Sequence, residues 1–176
     1  MAKIACLLHN DFEDSEFRIP HERLAEAGHE IVIVGLKAGE EVEGKRGRES
    51  VRVETTARSL DPAGFDGLLI PGGWSPDKLR MDADLVAFVR AMVTAGKPTA
   101  AICHGPWLLA EADVVRGRTL TSYPSIKTDM RNAGANWVDQ DVMVDGNLVT
   151  SRKPDDLDAF CNAFLSKLAP VPARRG

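Results

Sequence analysis

The sequence predicts an α/β three-layer sandwich with a mainly parallel central sheet, and three observations carry that expectation. Short apolar runs of four to six residues, bounded by Gly, Pro or Asp, alternate with longer stretches of helical period. The runs are apolar at consecutive rather than alternate positions, the pattern of strands covered on both faces. The composition, 44% hydrophobic and 27% charged with 15 Gly and 10 Pro scattered over 176 residues, suits one globular domain and excludes a disordered chain.

Taken in order, Lys3–Leu8 is the first such run, and Ser15–Ala27 follows as a helix on which Phe17, Leu24 and Ala27 share an apolar face. Asp14 or Ser15 is placed to cap it, Gly28 ends it, and Pro20 inside it predicts a kink. Ile31–Val34 is the second strand. In Glu40–Thr56, Val51 and Val53 alternate with polar residues amid Gly and charge, which predicts a small hairpin or edge excursion of local purpose. Gly67–Ile70 and Thr99–Ile102 are further buried strands. Between them Asp82–Ala95 is an amphipathic helix with Leu85, Phe88, Val89 and Met92 on one stripe and Gly96 after it. Ile126–Ala133 predicts a short helix, and Val142–Val144 and Leu148–Val149 flank the turn Asp145-Gly146-Asn147. Asp155–Leu168 closes the chain as a helix after Pro154, with a flexible tail over 169–176. No repeat, linker or low-complexity segment interrupts the pattern, so residues 1–176 read as a single domain.

Charge and cysteine usage narrow the function classes. A net charge of -4 leaves no electrostatic footprint for nucleic acid, and the longest basic cluster, Lys45-Arg46-Gly47-Arg48, reads as a solvated loop. The N-terminal "MAKIACLLHNDFED" holds one short apolar run followed by acids, too short for a signal segment or a membrane span. Three cysteines, Cys6, Cys103 and Cys161, are odd in number and widely spaced, which suggests neither a disulfide framework nor a zinc site. The expectation is a cytoplasmic protein without metal or cofactor whose partners are small molecules, peptides or copies of itself.

Doubly wound sheets bind ligands beyond the carboxyl ends of their strands. Three predicted strand ends carry reactive or anion-friendly groups: His9–Glu13, Pro71-Gly72-Gly73-Trp74 and Cys103-His104-Gly105. A thiol between a strand and a helix N-terminus is expected to have a lowered pKa, as at a nucleophile elbow. Gly105 permits close backbone approach, the His104 amide points to a developing oxyanion, and Gly72 and Gly73 offer a second donor. Cys6 and Cys161, inside apolar patterns, read as core residues. His104 is the leading base for Cys103 and His9, at the end of the first strand, its rival; His21 and His29 read as surface and cap. Of the acids Glu13, Asp14 and Glu16, Asp14 reads as a helix-terminus acid, whereas Glu13 is expected to lie protonated against the sulfur. Asp77 reads as a loop or capping acid near the Gly-Gly turn.

The segments "NDFEDSE", "LLIPGGWSPDKLR", "AAICHGPWLL", "TSYPSIKTDMRNAGANWVD" and "VMVDGNLVTSR" together resemble the PfpI family of intracellular protease-like proteins, over roughly Lys3 to Leu168. The resemblance implies a flavodoxin-like sandwich, an elbow cysteine at Cys103, its histidine at His104 and its elbow glutamate at Glu13. It also implies dimers or hexamers in which a third acid, here Asp77, comes from a neighbouring subunit. Asp is one methylene shorter than the Glu of the peptidase-like members. The activities implied are hydrolysis of peptides, or attack on glyoxal, methylglyoxal and early glycation adducts, with Gly72, Gly73, Gly105 and Trp74 around the substrate. A redox-sensing protein that oxidises Cys103 is the competing expectation. A glutamine amidotransferase needs a histidine downstream of the cysteine, and none follows His104. A flavin site is disfavoured because "HNDFEDSE" is acidic where phosphate would sit.

Overall fold

The computed structural model describes residues 1–168; the expectation for the tail lies outside them. Eleven strands and six α-helices follow in chain order: β1 (Lys3–Leu7), α1 (Asp14–Glu26), β2 (Glu30–Gly35), β3 (Glu41–Glu43), β4 (Ser50–Arg52) and β5 (Thr55–Thr56). Then come β6 (Gly67–Ile70), α2 (Ser75–Leu79), α3 (Ala83–Thr94), β7 (Thr99–Ile102), α4 (Pro106–Glu111) and β8 (Thr119–Leu120). The chain closes with α5 (Lys127–Asn132), β9 (Asn136–Trp137), β10 (Met143–Asp145), β11 (Leu148–Ser151) and α6 (Leu157–Leu168).

Seven strands form the central sheet in the order β10-β11-β7-β6-β1-β2-β5. Every pairing is parallel except that of β10 with β11, whose turn runs through Gly146 at φ +58. Counting only the long parallel strands, the order is second, first, third, fourth, fifth, which is the flavodoxin-like doubly wound sheet. Because the chain turns one way after β1 and the other way after β6, the loops leaving these neighbours diverge. The crevice between them is the topological switch point, and the turn after β7 borders it.

Two apolar layers cover the sheet. Ala5, Leu7, Leu68, Ile70 and Ala101 face α3 and α4 through Leu85, Phe88, Val89, Met92, Leu108 and Leu109. Ile4, Cys6, Leu69, Ala100 and Ile102 face α1 and α6 through Phe17, Leu24, Phe160, Cys161 and Phe164. Each buried Leu, Ile or Phe contributes ~1.5–3 kcal/mol, so removing water from both faces is the dominant stabilising effect. Consecutive residues of β1, β6 and β7 thus serve opposite layers, which is why the sequence shows unbroken apolar runs there.

Helix boundaries match the sequence reading within one or two residues, with informative exceptions. Asp82 caps α3 by accepting the Leu85 amide at 2.8 Å. Helix α1 has no side-chain cap; Asp14 is turned away from its helix toward the loop that joins β3 and β4. That hairpin is not merely local: Phe12 bridges both Gly44 and Gly73, tying the loop to the end of β1 and to the turn after β6.

Candidate active site

Cys103 stands directly after β7 with φ +63, a left-handed backbone that costs a non-glycine residue roughly 1–3 kcal/mol. Its own bonds hold it there: the Cys103 amide donates to Ser151 O at 3.0 Å and its carbonyl accepts from the Tyr123 amide at 2.9 Å. Gly105 completes the turn by donating to Ile102 O at 2.8 Å, and a Cβ at Gly105 would sit 2.6 Å from Ile70 O. Helix α4 then starts at Pro106. The strand thus ends in an elbow that offers the sulfur to the switch-point crevice.

The Cys103 sulfur lies 3.3 Å from His104 Nδ1, so the adjacent ring does fold back onto the thiol. His104 Nε2 meets Ser125 Oγ at 3.2 Å. Trp74, Trp107 and Tyr123 surround the imidazole with ring centroids at 5.5, 4.8 and 5.2 Å, and Trp74 and Tyr123 remain exposed toward solvent. Burial lowers the His104 pKa and the Lys45 charge lowers it further, so the ring is neutral at pH 7 and free to accept a proton. His9 donates its amide to Ser75 Oγ at 2.9 Å and its ring makes no bond to the thiol.

The carboxyl beside the sulfur belongs to Glu16, which corrects the assignment to Glu13. Glu13 is the extended residue that precedes α1, whereas Glu16 lies in the first helical turn with its side chain pointing inward under the crevice. Glu16 is fully buried, accepts the Gly72 amide at 3.0 Å through Oε1, and leaves Oε2 without a hydrogen-bond partner; its carboxyl neighbours the Cys103 thiol. Burial, reinforced by the nearby Glu13 charge, pushes its pKa up to about 8, so it is mainly protonated at pH 7. Glu13 instead pairs with Lys45 Nζ at 2.8 Å and Arg46 Nε at 3.2 Å. The exchange of roles leaves one neutral and one ion-paired acid at the same helix end.

The Gly72 amide is taken by Glu16 and is not a free donor for an oxyanion, and a Cβ there would lie 2.6 Å from Cys103 Cβ. The amides of Gly73 and His104 do face the sulfur. The thiol itself departs from expectation. Burial pushes Cys103 up to about 12, with Glu16, once ionised above about pH 8, adding to this, and the Gly73 and His104 amides and Lys45 only partly oppose it. Desolvation of a residue that is 7% exposed outweighs the dipole of a helix as short as α4. The resting site is therefore a neutral thiol beside a neutral imidazole and a neutral carboxylic acid.

Asp77 is exposed in the first turn of α2 and its side chain bonds to nothing among the described residues, neither as a cap nor to His104. Lys45, assigned to a solvated loop, is the site neighbour the sequence hid: the β3–β4 hairpin carries its ammonium to Glu13 Oε2 at 2.8 Å, at the margin of the site. Only the spacing of the two short alternating strands pointed to a hairpin, and nothing in the sequence said where its tip lands. Among the described residues no three His, Cys, Asp or Glu cluster as metal ligands, and no helix is long and apolar enough to cross a membrane.

A doubly wound sheet with a strained cysteine elbow, a buried acid from the first helix and an adjacent histidine defines a class of α/β proteins built around one thiol. Residues 2–167 match the DJ-1/PfpI family, and the chain belongs to it. It is 52% identical to protein/nucleic acid deglycase 2 of Escherichia coli strain K12, over 90% of this chain and 92% of that one. It is 47% identical to general stress protein 18 of Bacillus subtilis strain 168, over 94% of this chain and 97% of that one. A crystal structure from Anabaena variabilis with DJ-1/ThiJ/PfpI-like and ferritin-like domains superposes with a TM-score of 0.94 at 42% identity. The superposition covers all of this chain and 52% of that two-domain protein, so this chain spans about half its length.

Proposed function

We propose that the protein is a cysteine-dependent hydrolase of the stress response that acts on glyoxal, methylglyoxal and early glycation adducts. The observation that carries this reading is the 3.3 Å contact between Cys103 Sγ and the neutral His104 Nδ1, with the Gly73 and His104 amides turned toward the sulfur. The deglycase and stress-protein names of the two relatives support it.

The resting thiol is protonated, so the nucleophile is made on demand. His104 takes the Cys103 proton as sulfur attacks the aldehyde carbon; a C–S bond forms and the carbonyl π pair moves to oxygen. The Gly73 and His104 amides stabilise that oxygen, and the imidazolium returns its proton to it. For methylglyoxal, His104 then takes the proton from the attacked carbon, whose electron pair forms an enediol as the neighbouring carbonyl oxygen gains a proton. Return of a proton to the neighbouring carbon, with loss of the hydroxyl proton from the attacked one, leaves a thioester. Water hydrolyses this to a hydroxy acid and restores the thiol, a net addition of one water. Glu16, neutral at pH 7, adds no negative charge against the sulfur and offers its proton as a hydrogen bond to it. The exposed faces of Trp74 and Tyr123 border the entrance and would contact the incoming substrate.

Peptide hydrolysis is the less supported activity, because an amide needs an oriented imidazole and Asp77 does not reach His104 within one chain. A homo-oligomer that delivers Asp77 from a neighbouring copy would supply it. A redox sensor requires an accessible, acidic thiol, and Cys103 is buried with a raised pKa. Turnover of methylglyoxal, followed by appearance of the hydroxy acid, tests the proposal. Cys103→Ala and Cys103→Ser are expected to abolish it with the fold retained. Retained turnover overturns the mechanism, and absence of turnover together with selective oxygen addition at Cys103 under mild peroxide establishes the sensor instead.

A further inference from the structure

The loop Gly44–Glu49 between β3 and β4 contains no apolar side chain, yet it is closed firmly against the site. Asp14 closes it. The Asp14 Oδ1 accepts the amides of Arg48 at 2.9 Å and Glu49 at 3.0 Å, and Oδ2 accepts that of Arg46 at 2.9 Å. The carboxylate is 3% exposed, and a Cβ at Gly44 would overlap it, so the loop wraps it without slack. Burial works to raise the Asp14 pKa, but the three amides outweigh it and lower it, keeping the group ionised.

A second stitch, the Lys45 amide to Phe12 O at 2.9 Å, aims the Lys45 side chain at Glu13 Oε2. Glu13 in turn donates its amide to Gly72 O at 3.2 Å, and Gly72 packs directly on Cys103. An unbroken set of contacts therefore runs from the Asp14 clamp through Lys45 and Glu13 to the nucleophile. We infer that Asp14 is a positioning residue: its carboxylate holds the Gly44–Glu49 loop closed so that the Lys45 ammonium stands at the margin of the Cys103 site. A helix-terminus acid would leave its oxygens to solvent or to its own helix, whereas those of Asp14 are spent on the hairpin.

The groups that face Lys45 are Glu13, Glu16, Cys103 and His104, and Arg46 shares Glu13 with it. The ammonium favours the thiolate of Cys103 and the neutral form of His104. The inference rests on Cys103 as the reactive thiol but needs no substrate. Its test is the rate of Cys103 alkylation by iodoacetamide between about pH 6 and 10 in the full chain, read peptide by peptide by mass spectrometry.

Lys45→Met and Asp14→Ala are each expected to move the alkylation profile to higher pH and slow it about fivefold near pH 8, the scale of one partly exposed charge. Asp14→Asn, which keeps an acceptor for Arg48 and Glu49, should fall between Asp14→Ala and the parent. If Asp14 works through Lys45, the double variant is no slower than Lys45→Met alone. An unchanged profile in Asp14→Ala, or effects that multiply in the double variant, overturns the inference. Should Asp14→Ala fail to fold, Gly44→Ala disturbs the same clamp from the loop side and must give the same shift. Normal alkylation of the parent without methylglyoxal turnover defeats the proposed activity and leaves this inference standing.

Discussion

The elbow after β7 and the tip of the β3–β4 hairpin reach the same crevice by opposite means. The elbow is built from neighbours in sequence: strand, strained cysteine, histidine, glycine and proline follow within a few residues, and its main-chain bonds run within the turn, to the adjacent β11 and to Tyr123. The hairpin tip has no apolar side chain of its own and is held by the Asp14 carboxylate, more than 30 residues away in sequence, and by the Lys45 amide bond to Phe12 O. Chemistry that is local in sequence is held by main-chain hydrogen bonds and packing that outweigh the backbone strain. Electrostatic support from afar is held by hydrogen bonds to a buried charge, and is therefore easier to remove without dismantling the sheet.

The contrast is broken most severely at the elbow. His104→Ala removes the imidazole that we propose as the base, 3.3 Å from the sulfur, and turnover should fall by about 10²–10⁴-fold while iodoacetamide still labels Cys103 at high pH. In the parent, the acid limb of the pH–rate profile should lie below pH 6.5, because burial and Lys45 both lower the His104 pKa. Lys45→Met should move that limb upward, and a limb that stays in place would remove Lys45 from the site.

Glu16 joins the two regions and gives an effect on stability. Its folded pKa, about 8, stands above its ordinary 4.5, so between these values the native state holds a proton that the unfolded chain has lost. The stabilisation linked to this group is complete below about pH 4.5 and is lost as pH rises toward 8. Glu16→Gln, neutral throughout, should escape that loss: from about pH 5 to 9 its melting temperature should rise relative to the parent by roughly 5–10 °C. A constant difference across that range would mean that Glu16 is ionised in the native protein.

The smallest effect is expected outside both regions. Asp77→Ala should change the stability of the single chain by less than ~0.5 kcal/mol, since the side chain is exposed and unbonded. A loss of turnover that appears only at concentrations where the protein self-associates would place Asp77 against His104 of a second copy.

Much of the architecture was readable because local patterns and global fold agree. Unbroken apolar runs such as Leu68–Ile70 occur where a strand serves two helix layers, and Gly28 and Gly96 stand at helix ends with φ of +84 and +74. The meeting of Cys103 and His104 was readable for the same reason: a thiol and an imidazole with a glycine at the end of a buried strand mark a tight turn into a helix, where side chains reach the crevice. The choice between Glu13 and Glu16 was not. Both sit at the start of α1, and which one enters the crevice depends on the helix's rotation about its axis, set by Phe17 and Leu24 packing under the sheet.

By itself, then, the sequence determined the sheet, its two covers and the strand end at which Cys103 and His104 stand together, because each follows from side-chain period and turn chemistry over a few residues. Only the tertiary structure decided which acid stays neutral beside the sulfur, that Asp14 grips a distant loop, and that the thiol is raised rather than lowered. Those outcomes depend on burial and on charges brought together through space, and desolvation has no signature in a linear string of residues.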